Sequence, residues 1–135
     1  MKFLAITRPI PTEYANRIYN KNKTVFVGKT YPRQAVAGDK FVLYESHGAR
    51  AYTGWADIKN IEELKPSDIT RKYGEKLIIS PEELKKYAKG RNLMTVIELE
   101  NFKKFKNPVK PKRFVSISGK YIYEDEYDMI IKNKG

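Results

Sequence analysis

The chain has 135 residues, with 27 lysines and arginines against 16 acids, a formal net charge of +11 and a pI near 9.7. That length fits one domain burying about two-thirds of the surface its unfolded form exposes. The lack of cysteine excludes disulfides and thiolate metal sites, and a single histidine, His47, argues against a conventional zinc site.

No apolar run approaches a membrane span or a signal peptide, so a soluble, cytoplasmic protein is expected, with no cofactor. Abundant Lys, Glu, Tyr and Ile without cysteine is a balance common in thermophile proteins. The excess of positive charge points to a polyanionic partner.

Residues 2–6 read as a short strand that Pro9 and Pro11 end. Residues 12–19 fit a helix with Thr12 as N-cap and Tyr14, Ala15, Ile18 and Tyr19 on one apolar stripe. A strand over 24–27 leads into Gly28-Lys29-Thr30, the triplet that ends a phosphate-binding loop. Such a loop needs an earlier glycine, but the position five before Gly28 is Lys23, and Tyr31-Pro32 disfavours the helix that must follow. Backbone capture of a nucleotide is therefore not expected here.

Residues 34–39 read as loop and turn, 40–45 as a strand, 46–49 as a hairpin turn and 50–61 as the returning strand. Gly54 inside that strand predicts a bulge or a tight bend of a sheet curling into a barrel. Helices follow over 66–73, ended by Gly74, and from the capping box Ser80-Pro81-Glu82-Glu83 to Gly90. Residues 94–100 return to strand, with Thr95, Ile97 and Leu99 inward. Residues 107–111 read as an extended connector, 114–117 as a short strand and Ser118-Gly119 as a turn. Residues 124–132 form a last helix, acidic first and basic last, with Tyr127, Ile130 and Ile131 inward. This order does not alternate as a doubly wound fold does. It predicts one α+β domain over 1–135, built on a curled, mostly antiparallel sheet.

The run "NKNKTVFVGKTYPRQAVAGDKFVLYES", then "AYTGWADIKNIEEL" and "PEELKKYAKGRNLMTVIELENF", resembles the PUA-like superfamily, especially its ASCH and EVE branches. Within it the chain looks most like the archaeal domain of unknown function family numbered 365. The resemblance implies a PUA-like pseudo-barrel with peripheral short helices and fixes no activity. Lys23-Thr24 match the family's Lys-Thr, Gly38-Asp39 its turn and Gly54 its strand glycine. Phe26 stands where the ASCH pattern has an acid, and Gly28 where it has arginine. Some small ASCH enzymes that hydrolyse acetylated cytidine use a lysine, a threonine nucleophile and a glutamate. Lys23 and Glu83 would match the lysine and the glutamate, but the nucleophile position falls on Phe26, which has no hydroxyl to attack a carbonyl.

The charge is segregated. No acid occurs between Tyr14 and Gly38 or between Asn101 and Arg113. Cations and aromatics interleave in Lys23, Lys29, Tyr31, Arg33, Tyr44, His47, Arg50, Tyr52 and Trp55, which suits phosphate neutralisation beside base stacking. Strand aromatics such as Tyr44, Tyr52 and Trp55 more often serve as core than as ligand contacts, and His47 at a hairpin tip suits a turn. Lys104, Lys106, Lys110, Lys112 and Arg113 make a second cationic run, a groove wall for a phosphate backbone. Two functions follow. One is binding of RNA or a modified base without catalysis. The alternative is an ASCH-like hydrolase of modified nucleosides, using Lys23 and Glu83 as the resemblance implies, or a weak metal-independent ribonuclease, which would draw on Lys, Tyr, Arg or the carboxylates Asp39, Glu45, Asp57 and Glu83.

Overall fold

The computed structural model describes residues 4–29, 31–32, 35–112, 115 and 119–133. Among them, six strands form one sheet: β1 (Ala5–Ile10), β2 (Val25–Gly28), β3 (Lys40–Glu45), β4 (Ala51–Leu64), β5 (Met94–Val109) and β6 (Lys120–Ile122). Helices α1 (Thr12–Lys21), α2 (Pro66–Tyr73), α3 (Pro81–Tyr87) and α4 (Glu124–Asn133) surround it. The strand order is β2-β5-β4-β3-β1-β6, and every pairing is antiparallel except β1 with β3. No described helix is long and apolar enough to cross a membrane.

The sheet is curled. A flat sheet in this order would hold β2 and β3 three strand spacings, or about 14 Å, apart. Instead the rings of Phe26 on β2 and Phe41 on β3 lie with centroids 5.5 Å apart. Period-two alternation sends Ile6, Phe41, Leu43, Ile97 and Leu99 into the enclosed core, where α1 adds Ala15 and Ile18. Their strand neighbours face outward into two further cores. Ala5, Val42, Tyr52 and Trp55 pack with Ile130 of α4, while Val25, Val27, Met94 and Val96 pack with Ile69 of α2 and Leu84 of α3. The curl, which brings β2 back onto β3, gives this α+β fold the pseudo-barrel form expected from the sequence, and both faces of the sheet are buried.

The curl is concentrated in β4. Its pairing with β5 breaks register between Tyr52 and Gly54, between Trp55 and Asp57 and between Ile58 and Asn60, and with β3 between Leu43 and Tyr44. Each irregularity increases twist. At Gly54 an added Cβ would collide with the Tyr19 hydroxyl and stand 2.7 Å from the Lys103 carbonyl oxygen, so the glycine permits α1 to lie directly on the strand. The Tyr19 and Thr53 hydroxyls then share a hydrogen bond of 3.0 Å, and burial pushes the tyrosine pKa up to about 12.

Several sequence expectations shift. The first strand runs Ala5–Ile10, through Pro9. Among the described residues β6 pairs only with Ala5 to Thr7, so the missing N–H of Pro9 interrupts no described pairing. Pro11, not Thr12, is the N-cap of α1, and the Thr12 hydroxyl instead donates 2.8 Å to the His47 carbonyl. The connector expected at 107–111 is largely strand, because β5 continues through Pro108 to Val109. There residues 105–108 stand opposite Thr53 alone. The strand expected at 114–117 lies, apart from Val115, outside the described residues, and β6 was not expected at all. Ile131 faces outward at 40% exposure, whereas Ile130 is buried.

Gly54→Ala is expected to lower stability by about 1–3 kcal/mol in urea denaturation. Tyr19→Phe in the same chain removes one of the two collisions and should recover part of that loss.

Candidate nucleic-acid interface

The two strands furthest apart along the curl, apart from β6, face each other across a cleft of about 850 Å³. One wall is the end of β1 (Arg8 to Ile10) with Pro11 and Tyr14 of α1. The other is Phe26 to Gly28 of β2 with Lys29, backed by Ile78, Ile79, Glu83 and Tyr87. The β3–β4 turn adds Tyr44, Ser46, His47 and Arg50 at one side, with Val115. That turn is held in place by Thr12, by the Ser46 N–H donating 3.0 Å to the Ile10 carbonyl, and by Lys110, whose ammonium donates 2.7 Å to the Ala49 carbonyl.

The lining combines rings and cations. Tyr14, Phe26, Tyr44 and Tyr87 supply aromatic surface, and Arg8, Lys29 and Arg50 supply charge. Arg8 is only 8% exposed, and burial lowers its pKa while Tyr121 and Tyr87 oppose that shift. Lys29 places its ammonium 4.7 Å from the centre of the Tyr87 ring, and Arg91 donates 2.9 Å to the Lys29 carbonyl.

Glu83 is the one carboxylate among the described lining residues. Arg17 grips it from two guanidinium nitrogens, at 2.6 and 3.2 Å, Tyr14 donates from 3.1 Å, and the Ser80 N–H donates from 2.7 Å. The Ser80 hydroxyl completes the capping box by accepting from the Glu83 N–H. Arg17, then the Ser80 backbone, hold the Glu83 carboxyl at a pKa of about 2, far below its ordinary range. So held, it is a weak proton acceptor and adds little net negative charge to the cleft.

The structure thus brings Lys29, Tyr44, His47 and Arg50 together at the cleft, with Glu83 in its wall. Tyr31 is 36% exposed beyond the end of β2, and Arg33 lies outside the described residues. Lys23 is not among the lining residues; its ammonium bonds the Glu75 carbonyl, so it does not form a cleft pair with Glu83. Tyr52 and Trp55 are corrected to core. Tyr52 is fully buried, donating 3.0 Å to the buried Glu126, and Trp55 packs against Phe105 and Tyr127, so neither offers a face for stacking a base. Lys104, Lys106, Lys110 and Lys112 are exposed along and just beyond β5, with the Lys104 ammonium 5.2 Å from the Tyr19 ring centre; Arg113 lies outside the described residues.

Arg8, Tyr14, Phe26 and Tyr87 were not singled out from the sequence as site residues. A cation set into an apolar stretch, Ala5 to Ile10, was the available signal for Arg8. Among the described residues no group of three or more His, Cys, Asp or Glu side chains could hold a metal ion.

This curled sheet, with a cleft between its returning strands, defines a PUA-like pseudo-barrel of the ASCH type. Its solved likenesses include the ASCH protein from Zymomonas mobilis, with TM-score 0.85 at 16% identity over 96% of this chain and 94% of that one. A tyrosine-to-phenylalanine variant of that protein gives 0.86 at 14% identity over 96% and 97%. The N-terminal domain of Staphylothermus marinus McrB is more distant, at 0.57 and 13% identity over 95% and 92%. At such identities the likeness concerns the fold. The chain itself belongs to the DUF365 family (Domain of unknown function), whose model matches residues 3–124. A relative, Uncharacterized protein MJECS03 of Methanocaldococcus jannaschii, is 36% identical over 105 residues, covering 69% of this chain and 97% of that protein.

Because the folded pKa of Glu83 lies below its unfolded value, the stabilisation it gives is present above the ordinary carboxylate range and is lost as pH falls toward about 2. Carboxyl-carbon NMR titration should show a midpoint near 2 for Glu83, rising toward the ordinary value in Arg17→Ala.

Proposed function

We propose that this protein binds RNA without turnover, one base entering the cleft between β1 and β2 while cations on the rim and on β5 hold the phosphates. The observation that carries this reading is the lining itself. Four aromatic rings and three cations surround about 850 Å³, and the one described carboxylate is neutralised by Arg17. Aromatic and aliphatic walls suit the faces of an unstacked base, which single strands and loops present and regular duplex does not. The volume falls in the range of pockets that enclose a small ligand.

The lysines of β5 extend the positive surface away from the cleft. Lys110 ties the end of that strand to the turn bearing His47 and Arg50, so Lys104, Lys106 and Lys110 offer a path for the backbone leaving the pocket. The fold likeness to ASCH proteins supports RNA as the ligand. Hydrolysis is less well supported. It would ask Glu83 to accept a proton while four donors and a pKa of about 2 oppose it, and Lys23 lies outside the cleft lining.

Fluorescence anisotropy with single-stranded RNA should show affinity that falls with salt. Four phosphate contacts would give a loss of roughly fiftyfold between about 50 and 200 mM salt. Lys106→Ala and Lys110→Ala should each reduce the slope by about 0.7. No binding at low ionic strength overturns the proposal, and release of product from RNA or acylated nucleosides by the pure protein favours the hydrolase.

A further inference from the structure

We infer that Tyr87, Lys29 and Arg91 form a second nucleotide subsite on the rim of the cleft, where the base and phosphate adjoining the enclosed nucleotide are held. This rests on the reading of the cleft as an RNA site. Tyr87 ends α3, at the boundary between cleft and solvent: it lines the pocket and is nevertheless 41% exposed. A large aromatic side chain left open at the mouth of a pocket gains little from packing, and its accessible ring surface suits stacking by a flat partner.

The chemistry around the ring selects that partner. The Lys29 ammonium lies over the ring at 4.7 Å from its centre, and the Arg91 guanidinium reaches across to the Lys29 carbonyl at 2.9 Å. Both cationic residues are exposed, so an ammonium and a guanidinium converge beside one aromatic surface. A base with its attached phosphate presents the complementary pair, a π face and an anion a few bonds away. A purely apolar partner would leave the two cations without use, and a bare anion would leave the ring without use. Lys29 also lines the cleft, so rim and pocket share a side chain, and a ligand occupying both would be a continuous strand.

The test compares ribonucleoside monophosphates with single-stranded RNA trinucleotides, titrated calorimetrically against the wild-type chain and its variants. The wild type should bind trinucleotides more tightly than monophosphates. Tyr87→Ala should lose roughly five- to hundredfold on trinucleotides, the range expected for one stacked base, and a several-fold smaller factor on monophosphates, which meet the ring only as part of the cleft lining. Tyr87→Phe should keep both affinities, since the ring and not the hydroxyl does the stacking. Arg91→Ala should lower the salt dependence for trinucleotides only. Equal losses of Tyr87→Ala on both lengths would make the ring part of the cleft and overturn the subsite, as would no loss on either. Monophosphates bound with no advantage for trinucleotides overturn the subsite alone. Neither ligand bound by the wild type overturns the RNA reading and the subsite with it.

Discussion

Where β4 passes beneath α1, the place a Cβ would occupy is already taken by the Tyr19 hydroxyl and the Lys103 carbonyl. Gly54 resolves that conflict, and the geometry of the whole sheet follows from it. The helix can sit on the strand, and the ladder slips at Gly54 and again on either side of Asp57, so a 14-residue strand coils where a regular one would run straight. Coiling returns β2 toward β3 and β1. In a flat sheet β1 and β2 would be four spacings, about 19 Å, apart and could not form the two walls of one pocket. The cleft is therefore a product of curvature, and curvature is a product of a missing side chain.

The same packing decides which charges act at a distance. Glu83 pairs with Arg17, Asp57 with Lys40, Glu62 with Lys72, and the buried Glu126 with Lys120. Each of these acids is matched locally, mostly where a helix meets the sheet or two strands meet, and contributes little to the field beyond a Debye length. Lys29 and Arg50 at the cleft carry a share of the surplus of cations, as do Lys103, Lys104, Lys106 and Lys110 along and just beyond β5, where no acid interrupts between Asn101 and Arg113. A polyanion approaching the protein would meet that surface with its positive charge already concentrated beside the pocket.

Most local signals in the sequence held, the Thr12 cap and the stop at Pro9 excepted, and non-local ones did not. The capping box at Ser80, the helix Pro66–Tyr73 and the strand Lys40–Glu45 stand where caps, glycines and β-branched runs put them, because each is specified by residues within a few positions. β6 is three residues long and exists by pairing with β1, more than a hundred positions earlier, so no short window reveals it. β5 runs on through Pro108 because β4 resumes pairing with it at Val109. Tyr44 and Tyr52 are strand aromatics opposite one another with ring centroids 5.9 Å apart, yet one lines the cleft and the other is fully buried on Glu126, a difference of position that no local pattern announces. Lys29, His47 and Arg50 were legible as an interleaved cationic stretch. Tyr87 was not, since it falls on the same helical face as Leu84 and periodicity alone assigns it to the core.

Glu83 shows how one residue pattern serves different ends. A lysine and a glutamate at the positions of Lys23 and Glu83 resemble the equipment of a hydrolase, and a carboxylate in a pocket invites that role. Here the carboxylate caps α3 through Ser80 and clamps it to α1 through Arg17 and Tyr14, while Arg17 also donates 3.0 Å to the Ile78 carbonyl. These charge-assisted bonds fix the wall that carries Ile78, Ile79 and Tyr87 before any ligand arrives, which lowers the ordering cost of binding. They also weaken the carboxylate as a proton acceptor. Stabilising the wall and activating the carboxylate are opposed demands on one pair of oxygens, and in this chain four donors resolve them in favour of the wall.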